Sequence, residues 1–223
     1  MKNFLRNVRI IFLKDVRSEL RTRYVINSLL MFVLVTISII RFAIGDEKIE
    51  DEILTGLLWI SIFFSASGGL ARTFVKEEEK ETSSALKLSA SPTEIFVGKL
   101  FFNLVLTFIL NFLILILFIL ITEYNIKNPL LFISVLSLGN IGLVAASTII
   151  AAIISKANSK GTLYPVLSFP VLLPLLLTVI NATKLASAGI NSAEIMGEIR
   201  ILVSYTVVVI TVSVMLFPFV WED

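Results

Sequence analysis

Side chains that could do chemistry are nearly absent from the apolar parts of this chain. The 223 residues contain neither histidine nor cysteine, which removes the commonest general base, the commonest metal ligand and any thiolate nucleophile. Serines in the apolar stretches would lack an activating partner, and hydrolysis inside a membrane would need such a pair or a bound metal. We therefore expect no enzyme: no catalytic residue, no metal site and no directly bound cofactor.

Charged residues inside apolar stretches usually indicate function in a membrane. Arg41 is the one such residue, and it lies near the end of its stretch, where its side chain can reach the interface. The acidic segment 46–52 could bind a cation, although a solvated loop is the simpler interpretation. The amides of Asn103, Asn111 and Asn140 are best explained by hydrogen bonds between helices.

Six apolar stretches of about twenty residues separate the charged segments, and 57% of all residues are hydrophobic. A hydrocarbon core of roughly 30 Å needs about twenty apolar residues of helix. Continuous apolar runs favour helices over a closed barrel. The sequence thus predicts an all-α integral membrane six-helix bundle in one domain, residues 25–223, preceded by an interfacial helix, residues 1–24. The predicted spans are residues 25–44, 53–70, 100–121, 130–154, 162–181 and 201–220.

The cations are sorted between the two sides of these spans. Fourteen Lys and Arg residues fall on the side that carries both termini, and five fall on the other side or near it. Because cytoplasmic loops carry the excess of Lys and Arg, we expect both termini in the cytoplasm. The protein would then be a multi-pass protein of the cell inner membrane.

Residues 4–23 show the periodicity of an amphipathic helix. Apolar residues recur at spacings of three and four, at Leu5, Val8, Phe12, Val16 and Leu20. The cations predicted on the opposite side are Arg6, Lys14, Arg17 and Arg21. This pattern is typical of a helix in the membrane interface, with its cations toward lipid phosphates. A solvated basic tail that only enforces orientation is the alternative.

The longest polar segment, residues 72–99, lies between the second and third spans. Its residues 75–88 combine alternating charge with two leucines, Pro92 ends the run, and Thr93 with Glu94 can start the next helix. A charged helix followed by a bend would form a protrusion that a soluble partner could grip. A solvated linker is the alternative.

Prolines and small residues mark two further features. Pro165, Pro170 and Pro174 should kink or locally unwind the fifth span, either as a hinge or as a static fit to neighbouring helices.

Small residues in segments 65–69 and 139–147 allow close helix packing. Most of that packing should be within the chain, and a minority could face a second copy in a homodimer.

In order and spacing, several runs resemble the CcmB family, an ABC transporter permease subunit of cytochrome c maturation. They are residues 14–21, Trp59, and residues 70–79, 86–89, 95–99 and 170–176, which together cover essentially the whole length. The polar segment departs from the family pattern at two positions. Glu81 stands where the family tends to have glycine. The family tends to have a Ser-Pro pair directly after the leucines, whereas Pro92 of this chain lies three residues beyond Ser89.

The resemblance implies a permease subunit for haem export or haem-chaperone release in cytochrome c-type biogenesis. Its implied partners are a cytoplasmic ABC ATPase subunit, a haem-handling membrane subunit and a periplasmic haem chaperone. Haem would be transported or held by a partner, which agrees with the missing histidine. ATP hydrolysis would belong to the separate subunit, since the chain has no Walker A pattern. No nucleic-acid partner is expected.

By position, the resemblance assigns docking of the ATPase to the polar segment. The residues expected to carry it are Arg72, Phe74, Lys76, Glu77, Glu79, Leu86, Leu88 and Ser89. Replacing Glu77 and Glu79 with lysine should then uncouple the ATPase while the spans stay folded. The alternatives are an export permease for a lipid or drug and a structural scaffold of a membrane complex.

Overall fold

The computed structural model describes residues 2–45, 49–79, 82–157, 160–190 and 192–222, and the regular elements in these ranges are helices. Part of the acidic segment, residues 46–48, lies outside the described ranges. The helices are α1 (Lys2–Thr22), α2 (Tyr24–Ile44), α3 (Asp51–Leu70), α4 (Val75–Glu79), α5 (Ser83–Ser89), α6 (Pro92–Thr122), α7 (Pro129–Ser155), α8 (Lys160–Ser187) and α9 (Ser192–Glu222).

Six of these helices, α2, α3 and α6 to α9, are long and apolar enough to cross a membrane, which confirms the predicted fold class. The helix of the third span extends beyond the predicted span, residues 100–121, because α6 begins at Pro92, close to the helix start predicted at Thr93 and Glu94. Ser91 and Glu94 form a capping box at its start. At about 1.5 Å per residue, the 31 residues of α6 exceed a hydrocarbon core of roughly 30 Å. Its first turns can therefore project beyond the apolar layer.

Helix α7 is the most buried span and packs against α3, α6, α8 and α9. Helices α3 and α8 can approach α7 closely because Gly139 has no side chain. A Cβ atom at this position would lie 2.5 Å from Val179 Cγ2 and 2.6 Å from the Trp59 ring. The Trp59 indole N–H donates to Thr183 Oγ1 at 2.9 Å. The small residues around Gly139 therefore serve packing within the chain, as expected for most of them.

Amides inside the spans join α6 to α7. Asn111 donates to Asn140 Oδ1 at 2.8 Å, and Asn103 donates to Thr148 Oγ1 at 2.9 Å. The prediction of interhelical hydrogen bonds is confirmed. Both pairs reduce the cost of burying amide groups in an apolar interior, although Asn140 Nδ2 has no hydrogen-bond partner among the described residues.

Helix α8 runs without a break past its three prolines, so local unwinding, one of the two predicted alternatives, is absent there, and the kink stays a prediction. Pro165, Pro170 and Pro174 are all exposed. The buried face of the helix, which includes Leu175 and Val179, packs on α7. This packing holds the helix together although each proline removes one backbone donor. The hinge stays a prediction.

The end of α9 lies beside the polar segment between α3 and α6. Phe217 and Trp221 stack with ring centroids 5.5 Å apart, and Phe74 lies 5.3 Å from Phe217. Lys87 of α5 donates to the backbone oxygen of Glu222 at 3.3 Å.

Helix α1 packs along the start of α6, where Ile11 lies against Gly98. Both ends of the described chain thus meet at one end of the bundle, which agrees with an even number of crossings. We call this end, formed by α1, residues 71–79 and 82–91, the start of α6 and the end of α9, the terminal face.

Replacing Gly139 with alanine should lower the stability of the bundle, because the new methyl group cannot fit between Val179 and Trp59. Overpacking of this kind costs about 1–3 kcal/mol. The thermal unfolding temperature of the detergent-purified protein measures the effect. Gly56→Ala is the matched control: nothing lies within 4 Å of its Cβ position, so it should leave that temperature unchanged or raise it. Equal melting of the two variants would contradict this packing.

Candidate functional site

Four charged side chains join three helices on the terminal face. Glu77 of α4 places Oε2 2.6 Å from Lys99 Nζ of α6 and Oε1 2.5 Å from Lys14 Nζ of α1. Asp15 Oδ1 lies 3.2 Å from Lys14 and Asp15 Oδ2 lies 3.4 Å from Lys99. The Lys99 ammonium also donates to the backbone oxygen of Thr73 at 3.0 Å. We call Lys14, Asp15, Glu77 and Lys99 the ion cluster.

Burial of Lys99 makes these contacts necessary. Its side chain is only 2% exposed, and an isolated ammonium at such depth would cost several kcal/mol. Two carboxylates and a backbone carbonyl surround it, and the Phe74 ring centroid lies 5.0 Å from Nζ. Because two cations face two carboxylates, the ion cluster is neutral overall.

Lys14 lies at the more open side of the ion cluster. Burial alone would lower its pKa, but the carboxylates of Asp15 and Glu77 outweigh that effect and hold the pKa of Lys14 above its ordinary value. The ammonium therefore remains charged at neutral pH. This preserves the bridge between α1 and α4.

Polar contacts outside the ion cluster also fasten α1. Glu19 Oε1 accepts the backbone N–H of Ile26 at 3.2 Å, and Glu19 Oε2 lies 3.7 Å from Lys76 Nζ. Asn7 donates to Glu94 Oε2 at 3.1 Å. Helix α1 is thus attached to α2, α4 and α6 largely through polar side chains.

The predicted apolar stripe of α1 lies partly outside the bundle: Leu5 is 64% and Leu20 is 59% exposed, whereas Val8 is 8% exposed. Contact of the exposed leucines with the membrane interface stays a prediction. Lys14 belongs to the ion cluster. The remaining predicted cations, Arg6, Arg17 and Arg21, are exposed. Their contact with lipid phosphates stays a prediction.

The structure divides the eight predicted docking residues into two sets. Phe74, Glu77 and Leu86 are buried, and Lys76 is half-buried. The exposed set is Arg72, Glu79, Leu88 and Ser89. The polar segment thus has two faces. The buried residues form an inward face that contacts the bundle, and the exposed residues form an outward face.

The position of Glu77 changes what its substitution is expected to do. A lysine there would place a third ammonium beside Lys14 and Lys99 and would destabilise the terminal face. Of the two glutamates proposed for replacement, Glu79 alone is exposed. Its substitution can therefore still test docking without disturbing the ion cluster.

Sequence reasoning missed a cluster of aromatic side chains on the terminal face, formed by Phe74, Phe96, Phe217 and Trp221. Phe96 lies 5.1 Å from Phe217, and Lys156 Nζ lies 5.5 Å from the centroid of Trp221. The spacing of four residues between Phe217 and Trp221 was an available signal, since it places both on one helix face. Lys99 was counted with the polar segment between the second and third spans, and it lies two turns inside α6.

Comparison with known proteins identifies the relationship of the chain. The family model described as CcmB protein matches residues 6–221. This range includes the ion cluster, the polar segment and the six spans. A search of curated proteins gives no match.

Replacing Glu77 with glutamine should destabilise the protein by about 3 kcal/mol, because it leaves the buried Lys99 ammonium with Asp15 as its remaining carboxylate. Thermal or denaturant unfolding in detergent measures the loss. Glu79→Gln is the control, since this neighbouring carboxylate is exposed, and it should change stability by less than about 0.5 kcal/mol. Similar stability of both variants would show that the ion cluster does not support the fold.

Proposed function

The chain belongs to the CcmB family, whose members are membrane components of haem export for cytochrome c biogenesis, and on this premise we propose that it is the permease subunit of an ABC transporter complex. A separate cytoplasmic ATPase subunit would supply the energy. The terminal face, with both ends of the chain, would lie on the cytoplasmic side of the cell inner membrane.

The exposed side chain of Leu88 is the observation that carries this proposal. Leu88 is 91% exposed at the end of the seven-residue helix α5. A large apolar side chain surrounded by polar ones has the arrangement of a protein interface, whose apolar centre lies inside a polar rim. Arg72, Glu79 and Ser89 are also exposed in this segment and would contribute polar contacts to the ATPase.

The ion cluster would connect docking of the ATPase on the outward face to movement of α1 and α6. Glu79 and Glu77 lie two residues apart on α4, the first exposed and the second bound to Lys99 and Lys14. A force on α4 would therefore have to move α6 and α1 with it or break these ionic contacts. ATP binding and hydrolysis can shift the bundle between two arrangements only if the ATPase binds them with different affinity.

Haem enters this proposal as cargo or as a ligand of partners. The chain offers no histidine or cysteine for its iron. A haem-handling membrane subunit and a periplasmic haem chaperone would hold it, and the motion of this subunit would either move haem or release the loaded chaperone. A second copy of the chain could complete the complex.

Replacing Leu88 with aspartate should reduce co-purification of the co-expressed ABC ATPase subunit at least tenfold, because a docking surface loses its apolar anchor and gains a charge. The purification is done in mild detergent, with the tag on the permease. The thermal unfolding temperature of the variant should equal that of the parent chain, since Leu88 contributes little to the core.

Leu130→Asp provides the control. Leu130 is 81% exposed at the start of α7, so the same change there should leave the ATPase bound. Undiminished binding by the Leu88→Asp variant would contradict docking on the outward face of α5.

A further inference from the structure

Helix α5 carries the exposed Leu88 but packs little of its own surface on the bundle. Leu86 is buried, whereas the other residues of the helix are exposed or half-buried. A helix of seven residues is also too short to be stable by itself in water. Side chains of neighbouring elements must therefore hold α5 in place.

The side chain of Trp221, near the end of α9, lies beside two lysines. Lys87 Nζ is 6.0 Å from the centroid of its ring, and Lys156 Nζ is 5.5 Å from it. Trp221 is 1% exposed and stacks on Phe217. Its indole N–H has no hydrogen-bond partner among the described residues. Trp221 therefore acts through its ring, and an indole ring attracts a nearby cation more strongly than the rings of tyrosine and phenylalanine do.

The two lysines connect Trp221 to both ends of α5. Lys87 belongs to the last turn of α5 and lies beside the ring directly. Lys156, the residue after α7, lies 3.3 Å from Glu78 Oε1. Glu78 Oε2 accepts a hydrogen bond at 3.3 Å from Ser83, the first residue of α5. The start and the end of α5 thus both lead to one side chain of α9.

We propose that Trp221 is a positioning residue for docking of the ATPase. Through Lys87 it holds α5, and with it Leu88, in the orientation that the ATPase recognises. The inference rests on the proposed function, because it takes Leu88 as the docking anchor. It adds α9 to the elements that support docking. The ion cluster holds α4 through Glu77, whereas Trp221 would hold α5.

The contact between Trp221 and Lys87 is tested first, without the ATPase, by tryptophan fluorescence of the full-length protein in detergent. The sequence contains two tryptophans, so a Trp59→Phe background leaves Trp221 as the reporter. In this background, Lys87→Met should raise quenching by acrylamide at least twofold, because α5 is released and water reaches the indole. Lys87→Arg keeps a cation beside the ring and should be quenched like the background protein. Equal quenching of Lys87→Met and Lys87→Arg would show that this contact does not hold α5.

Binding of the purified ABC ATPase subunit then tests the positioning role, with Trp59 restored. Lys87→Met and Trp221→Leu should each raise the Kd at least fivefold, although both keep Leu88. Lys87→Arg should bind like the parent chain. The double variant should bind no more weakly than either single variant, because both changes remove the same contact. Lys87 is exposed, so the Lys87 variants still decide the outcome if Trp221→Leu does not fold.

The outcomes separate this inference from the function on which it rests. Absence of ATPase binding by the parent chain would overturn the proposed function, and the positioning role with it. Unchanged Kd values of the Lys87→Met and Trp221→Leu variants would overturn the positioning role alone. Multiplied losses in the double variant would also overturn it, since Lys87 would then contact the ATPase by itself and not act through the ring.

Discussion

The terminal face depends on one electrostatic requirement, the neutralisation of the Lys99 ammonium. This charge lies two turns inside an otherwise apolar helix and is almost fully buried. Glu77 reaches it from α4 and Asp15 reaches it from α1. Both helices must therefore lie against α6, because withdrawing either carboxylate would leave buried charge uncompensated. The ion cluster in this way holds α1 and α4 against α6.

The same contacts relate the fold to the proposed activity. Glu77 fixes the inward side of α4, whereas Leu88 of α5 remains outside the core and available to a partner. A motor bound there would act on a segment whose Glu77 is bound to Lys99 of α6 and Lys14 of α1.

The sequence was sufficient for the parts of the fold governed by hydropathy. The six spans follow from apolar runs, and the small residues at Gly139 indicated close packing. The sequence was insufficient for the parts of the fold in which polar side chains hold helices together. Asp15 and Lys99 are 84 residues apart, and nothing local distinguishes Glu77 from the two glutamates that follow it. The periodicity of α1 predicted an amphipathic interfacial helix, but it did not indicate that Lys76 and the Ile26 N–H satisfy the buried Glu19.

The central claim, that a cytoplasmic motor reaches the terminal face, is tested most directly by site-specific labelling. The chain contains no cysteine, so a membrane-impermeant maleimide would report on a single introduced thiol. Ser84→Cys on α5 and Asn125→Cys between α6 and α7 place exposed thiols at the two ends of the bundle. The account predicts that in inside-out vesicles Ser84→Cys is labelled, that added ATPase subunit slows this labelling, and that Asn125→Cys is protected. Labelling of Ser84→Cys in right-side-out vesicles, with protection of Asn125→Cys, would contradict it.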